Sequence, residues 1–293
     1  MKVPESLTLL EFIRPDLLMI RVIAKSLILW SDVSGSDEWI ESQIPKVVLR
    51  NYNALGRSTD DTLLRDTAAM EMDPSDIEKE DVVKNIGFVD KQAVRQIYVY
   101  ITAGACFALG LKFAGTGNKA VSTLLQRRLR VFQLMREGKD PDAVSKRPSH
   151  SMLEMCLSNI AVSLGMVMAG SGDLDLLRIF RELRQKCEPE VRYGDHMALG
   201  SAIGLLFMGG GSCTLGREPE DIAALLTAFF PRYPSSTCDN QYHLQALRHL
   251  YVLAAQRREV EVIDVDSREP IYVPVKASIY IWRGFLQWVL FII

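Results

Sequence analysis

The chain has 293 residues, 48% of them hydrophobic and 24% charged, a globular balance with enough apolar material for one large core or two smaller ones. A formal net charge of −2 argues against a general nucleic-acid-binding or membrane-surface role. Five cysteines (Cys106, Cys156, Cys187, Cys213, Cys238) form no CxxC pair and no even framework, so buried, reduced thiols are expected.

Residues 1–52 read as helix broken by loops. Met1–Leu18 is interrupted by Glu5, Glu11, Arg14, Pro15 and Asp16, which does not fit a secretory leader and points to an intracellular protein. A first helical piece ends near Arg14 and Pro15, where proline removes a donor. A second follows with an apolar stripe of Leu17, Ile20, Ala24, Leu27 and Ile28. Asp32–Asp37 is a loop, and Trp39–Leu49 is a short helical segment cut by Pro45. Residues 53–90 carry Asp60, Asp61, Asp66, Glu71, Asp73, Asp76, Glu78, Glu80 and Asp81 with few aromatics, and read as a flexible acidic insertion.

Residues 91–258 state one pattern three times: LGLKFAGTGN at Leu109–Asn118, LGMVMAGSGD at Leu164–Asp173 and IGLLFMGGGS at Ile203–Ser212. The leading glycines, Gly110, Gly165 and Gly204, are 55 and then 39 residues apart, and a basic insertion within Arg127–Pro148 fills the difference. In the first copy Gln96–Phe113 is apolar nearly all round, as an inner, buried helix would be. Glycine inside a helix costs about 1 kcal/mol against alanine, a cost that fits places where a neighbouring backbone comes close. Gly115 and Gly117, then Gly170 and Gly172, then Gly209 and Gly211, supply positive-φ freedom for a helix stop. Asn118, Asp173 and Ser212 are each able to cap a following helix. One-sided stripes come next: Val121, Leu124, Leu125, Leu129 and Phe132; Leu174, Leu177, Phe180 and Leu183; and the apolar run Ile222–Phe230. The unit is a buried helix, a glycine turn and an amphipathic outer helix, which cannot bury its own apolar face and stacks into a solenoid or closed ring.

Asp239–Arg258 reads as one more helix, with Leu244, Leu247, Leu250, Tyr251 and Ala254 on one side. The period then changes. Residues 259–276, with Val260, Val262 and Val265 set against Ile271, Val273 and Val275, read as a short β-hairpin. Residues 277–293 (ASIYIWRGFLQWVLFII) are an apolar tail interrupted by Arg283 and Gln287. That is short of the roughly 20 apolar residues of a membrane span, and reads as a truncated or alternatively spliced end.

No catalytic, cofactor or metal site is marked. Gly115–Ala120 matches the glycine-rich dinucleotide fingerprint, which needs a preceding strand and an acid about 20 residues on. What precedes it is helical in length, so the helix-turn reading is preferred to a dinucleotide-binding enzyme. His150, His196, His243 and His249 have no ligand spacing, and the arginines at 127–136 alternate with apolar residues as on a solvated helix face.

The three copies resemble proteasome/cyclosome repeats, the helical hairpins of the two largest non-ATPase proteasome subunits and of the largest subunit of the anaphase-promoting complex. Three stretches, ESLTLLEFIRPDLLMIRVIAKSLILW (5–30), HMALGSAIGLLFMGGG (196–211) and DNQYHLQALRHLYVLAAQRR (239–258), resemble the last of these, over about Pro4–Val275. That subunit is far longer, with a β-propeller before the repeats. The resemblance implies a mainly α fold, a closed ring of repeats acting as a non-catalytic scaffold in an E3 ubiquitin ligase of the cell cycle. It implies the other complex subunits as partners, the coactivator and a small substrate-recruiting subunit being near, with ubiquitin transfer left to a separate RING subunit. No cofactor, nucleic acid or membrane is expected, and the implied location is nucleus and cytoplasm. The alternative is a generic helical-repeat interaction module.

Overall fold

Among the described residues four inner helices stand in a row and set the architecture. The computed structural model describes residues 14–55, 91–139, 141–185, 191–236, 238–239, 245–258, 263–269, 271, 275–282 and 285–292. In chain order these form α1 (Pro15–Ile28), α2 (Asp37–Ser42), α3 (Lys46–Ala54), α4 (Lys91–Lys112), α5 (Lys119–Glu137), α6 (Pro141–Ser145), α7 (His150–Val167), α8 (Leu174–Arg184) and α9 (Tyr193–Leu206). After these come β1 (Cys213–Leu215), α10 (Pro219–Ala228), a 3-10 helix (Gln245–Ala254), β2 (Ala255–Arg257), β3 (Val275–Trp282) and β4 (Phe285–Ile292). The inner helices pack in series, α1 on α4, α4 on α7 and α7 on α9. Each outer helix rests on the inner helix of the next hairpin: α3 on α4, α5 on α7 and α8 on α9. After the third hairpin the 3-10 helix takes the place of a further inner helix and packs on α10.

Apolar residues on every side make α4 an inner helix; fifteen of its residues, from Val94 to Leu111, are buried. It is long and apolar enough to cross a bilayer, but the protein buries 83% of that stretch. Glycine lets the neighbours close in, for a Cβ on Gly104 would stand 2.7 Å from the Met19 carbonyl oxygen of α1. Phe107, Phe132 and Phe180 are among the largest fully buried side chains, each contributing about 1.5–3 kcal/mol on leaving water. Tyr52 of α3 stacks on Tyr98 of α4 with ring centroids 3.5 Å apart.

Several expectations need correction. In α1 the buried face is Leu18, Met19, Val22, Ile23 and Ser26, whereas Leu17 and Ile28 of the expected stripe are exposed. The helix is apolar on both sides, so period alone could not choose the face. Helix α3 continues to Ala54 and buries Tyr52, so residues 53 and 54 are helix instead of acidic insertion; residues 56–90 lie outside the described residues. The expected helix over Asp239–Arg258 is a 3-10 helix followed by β2, with residues 240–244 outside the described residues. The spacing of three in Leu247–Leu250 and Tyr251–Ala254 is the period that a 3-10 helix eclipses. Residues 259–262, 270 and 272–274 of the hairpin expected over 259–276 lie outside the described residues, and Asp264–Glu269 closes a turn there (Asp264 N to Glu269 O, 3.0 Å). The apolar tail, for which no secondary structure was expected, holds paired strands: β3 runs antiparallel to β4, from Val275 opposite Ile292 to Trp282 opposite Phe285. Two β-branched and aromatic runs separated by Arg283 and Gly284 are a hairpin signal.

Candidate interaction surface

The glycine turns all lie at one end of the inner helices and form a ladder. Gly115 (φ 67°), Gly117 (φ 61°), Gly170 (φ 70°) and Gly172 (φ 65°) are left-handed, a region that side chains on L-residues disfavour. This conformation turns their N–H groups toward the next inner helix. Gly115 donates to the Met166 carbonyl at 2.8 Å and Gly117 to that of Val167 at 2.9 Å. One repeat on, Gly170 donates to Leu205 at 2.8 Å and Gly172 to Leu206 at 2.9 Å. The last carbonyls of a helix have no partner inside it, and each turn supplies those of its neighbour. The caps match as well. Asn118 Oδ1 accepts from the Ala120 and Val121 N–H groups at 3.0 and 3.2 Å, and Asp173 Oδ1 from Asp175 and Leu176 at 3.0 Å each.

The leading glycines mark the contact between inner helices. A Cβ on Gly110 would lie 2.8 Å from Ser163 Cα, and one on Gly165 would lie 2.9 Å from Ala202 Cα; Gly204 has nothing within 4 Å. Gly209 (φ 57°), Gly210 (φ 63°) and Gly211 (φ 91°) repeat the left-handed turn. Ser212 does not cap a helix as expected. Its hydroxyl donates to Gly209 O at 2.6 Å and the chain enters β1. The following helix begins at Pro219, where the Asp221 carboxylate accepts the Glu218 N–H at 3.1 Å.

A two-stranded ribbon, β1 antiparallel to β2, lies across the first two turns. Thr214 Oγ1 donates to Gly115 O at 2.8 Å, and a Cβ on Gly115 or Gly170 would collide with the Leu215 or Cys213 carbonyl. Arg258 donates to Gly170 O at 3.0 Å and to Ala169 O at 3.1 Å. These ribbon partners are legible only in three dimensions. An earlier turn was also missed: Ser36 Oγ accepts the Trp39 N–H at 3.2 Å after Ser34-Gly35, a small–Gly–cap pattern hidden in the loop Asp32–Asp37.

These contacts decide the other sequence signals. Gly115–Ala120 follows helix α4, not a strand, and the Gly115 and Gly117 N–H groups that a pyrophosphate would need already bond carbonyls. The arginines of α5 are not all solvated. Arg127 and Arg128 both reach Asp37 at 2.7 Å, and Arg136 is buried against Glu154 at 3.1 Å. Cys106 and Cys156 are buried free thiols, Cys106 pushed up to about 12 by burial, whereas Cys238 is exposed. Among the described residues no group of His, Cys, Asp and Glu is arranged to hold a metal ion. The Asp195 carboxylate accepts the Arg192 N–H at 2.9 Å. Arg248 closes the far side, donating to the carbonyls of Ala228, Phe230 and Arg232 with its guanidinium 4.1 Å from the centre of the Tyr233 ring.

A family profile described as the APC1 fifth domain matches residues 1–256. The chain belongs to the APC1 fifth-domain family. Similarity to curated members extends over nearly all of it. It is 38% identical over 288 residues to anaphase-promoting complex subunit 1 of Mus musculus, covering 98% of this chain and 13% of that protein. The Arabidopsis thaliana protein of the same name is 39% identical over 290 residues, covering 95% of this chain and 16% of that one. The negative regulator of mitosis of Emericella nidulans is 35% identical over 276 residues, covering 94% and 12%. The chain therefore spans about one sixth or less of the length of these relatives.

Proposed function

We propose that this chain is a non-catalytic scaffold segment of an anaphase-promoting complex, serving cell-cycle-dependent ubiquitination and mitotic progression. The observation that carries this reading is the similarity to subunit 1 across 98% of the chain. The geometry supports it. Backbone donors and acceptors of the turns are consumed in tying helix to helix, and arginines in tying outer helices inward, which suits a rigid support. On this reading Gly110, Gly115, Gly117, Asn118, Gly165, Gly170, Gly172 and Asp173 are structural repeat turns within an array over 91–258, and Gly204, Gly209 and Gly211 mark its last turn. Its partners are other subunits of the complex, with the coactivator and the substrate-recruiting subunit close by, and it works in nucleus and cytoplasm without cofactor.

Affinity purification of the tagged chain from mitotic cells tests this. Co-purification of other subunits of the complex is expected, and loss of that recovery with Gly165→Leu. Recovery of the folded chain without any of them overturns the assignment.

A further inference from the structure

On the row of inner helices lies a cavity of about 280 Å³ that the scaffold reading leaves without a role. Arg14, Asp16 and Met19 of the α1 region, Gln96 and Tyr100 of α4, Met152 and Met155 of α7, Arg192 before α9, and Pro231–Tyr233 line it. Its polar groups are almost all donors. Three arginines face one carboxylate, Asp16, which already takes Arg14 Nη2 at 3.0 Å and Arg232 Nη2 at 2.7 Å. Arg192 is the least satisfied. Its ion pair to Asp195 is 3.5 Å long, beyond good hydrogen-bond length, and its buried Nε has no hydrogen-bond partner. Burial holds the Tyr100 hydroxyl protonated, Cys156 and Asp16 pushing the same way and Arg192 and Arg232 opposing, so it too stands as a donor among these charges. Met19, Met152, Met155, Pro231 and Tyr233 supply the apolar wall, and methionine fits irregular apolar partners.

We infer that this cavity binds a peptide segment through an acidic side chain flanked by apolar residues, the carboxylate seated between Arg192, Arg232 and the Tyr100 hydroxyl. A half-buried guanidinium whose Nε is buried and without a partner is stabilised by a carboxylate, whose hydrogen bonds to charged donors are about twice as strong as neutral ones. A carboxylate is favoured over a phosphate because Asp16 occupies the same space and repels a dianion more than a monoanion. The apolar wall adds the area that a lone ion would lack.

Fluorescence anisotropy on the full chain tests this with three labelled acetyl-peptide amides: Gly-Leu-Glu-Leu-Gly, its Gln counterpart and its phosphoserine counterpart. The Glu peptide is expected to bind at least tenfold more tightly than either of the others. Arg192→Gln and Tyr100→Phe should each weaken it, by roughly tenfold and threefold, with circular-dichroism melting curves unchanged, while Arg178→Gln on the exposed face of α8 leaves binding as it was. Equal binding of the Glu and Gln peptides, no binding at millimolar concentration, tighter binding of phosphoserine, or indifference to Arg192→Gln in a folded variant each overturns the inference. None of these outcomes depends on assembly with other subunits.

Discussion

The second and third turns are written in nearly the same letters and end as different structures. Gly165 is pressed against Ala202 of α9, whereas the corresponding Gly204 faces open space. Asp173 caps α8, whereas Ser212 leads into a strand. A motif of this kind fixes the hand of a turn's backbone, since the equivalent Gly172 (φ 65°) and Gly211 (φ 91°) are both left-handed. What the turn joins depends on whether another inner helix follows. Where none does, the ribbon and the 3-10 helix take the position.

The sharpest way to break this comparison is to fill the two leading glycines alike. Gly165→Leu drives a side chain into the backbone of α9 and should cost about 3 kcal/mol, the upper range for overpacking. Gly204→Leu should be neutral or stabilising by up to about 1 kcal/mol, through helix propensity. Urea midpoints measure both, and an equal loss would mean that the Gly204 face is covered. The second test looks for sameness: Gly172→Val and Gly211→Val each force a β-branched residue into left-handed backbone and should each cost about 1–2 kcal/mol in the same assay. A neutral Gly172→Val would remove the turn's conformational basis. The caps come next. Asp173→Ala should cost about 1 kcal/mol, and Ser212→Ala less than about 0.5 kcal/mol, because only the first satisfies helix N–H groups. The smallest effect is chemical. With Cys187 and Cys238 replaced by serine, Ellman's reagent at pH 8 should titrate Cys213 in the native protein and reach Cys106 and Cys156 only on unfolding. Burial raises both buried thiols, so the reactive thiolate is scarce at that pH as well as hidden.

Much of the helical plan was legible because its signals are local. The all-round apolar run before Gly115 says inner helix, and glycine followed by Asn118 or Asp173 says stop and restart. Ser212 misled because its chemistry suits a cap. The stronger start signal lay further on, in Glu218-Pro219 with Asp221, where proline fits the first turn. In α1 both faces are apolar, so Leu18 and Met19 could not be told from Leu17 and Ile20 without the position of α4. The pocket arginines and the ribbon were illegible for a different reason. Arg192 and Arg232 meet near Asp16 only after the row of helices has formed, and nothing in spacing along the chain records that.

Long-range contacts govern how this molecule comes apart and how it is made. Arg232 holds Asp16 across 216 residues of chain, Thr214 holds Gly115 across 99 and Arg258 holds Gly170 across 88. A plain repeat array frays from its ends, each unit answering only to its neighbours. Here a late segment is fastened to the earliest described helix and to the first turn, so the described array has few ends to fray and should melt in one cooperative step. The same fastening delays completion during synthesis: α1 leaves the ribosome well before Arg232, and Asp16 waits for that arginine before it is paired across the fold. Such long-range closure slows folding relative to local hairpin stacking.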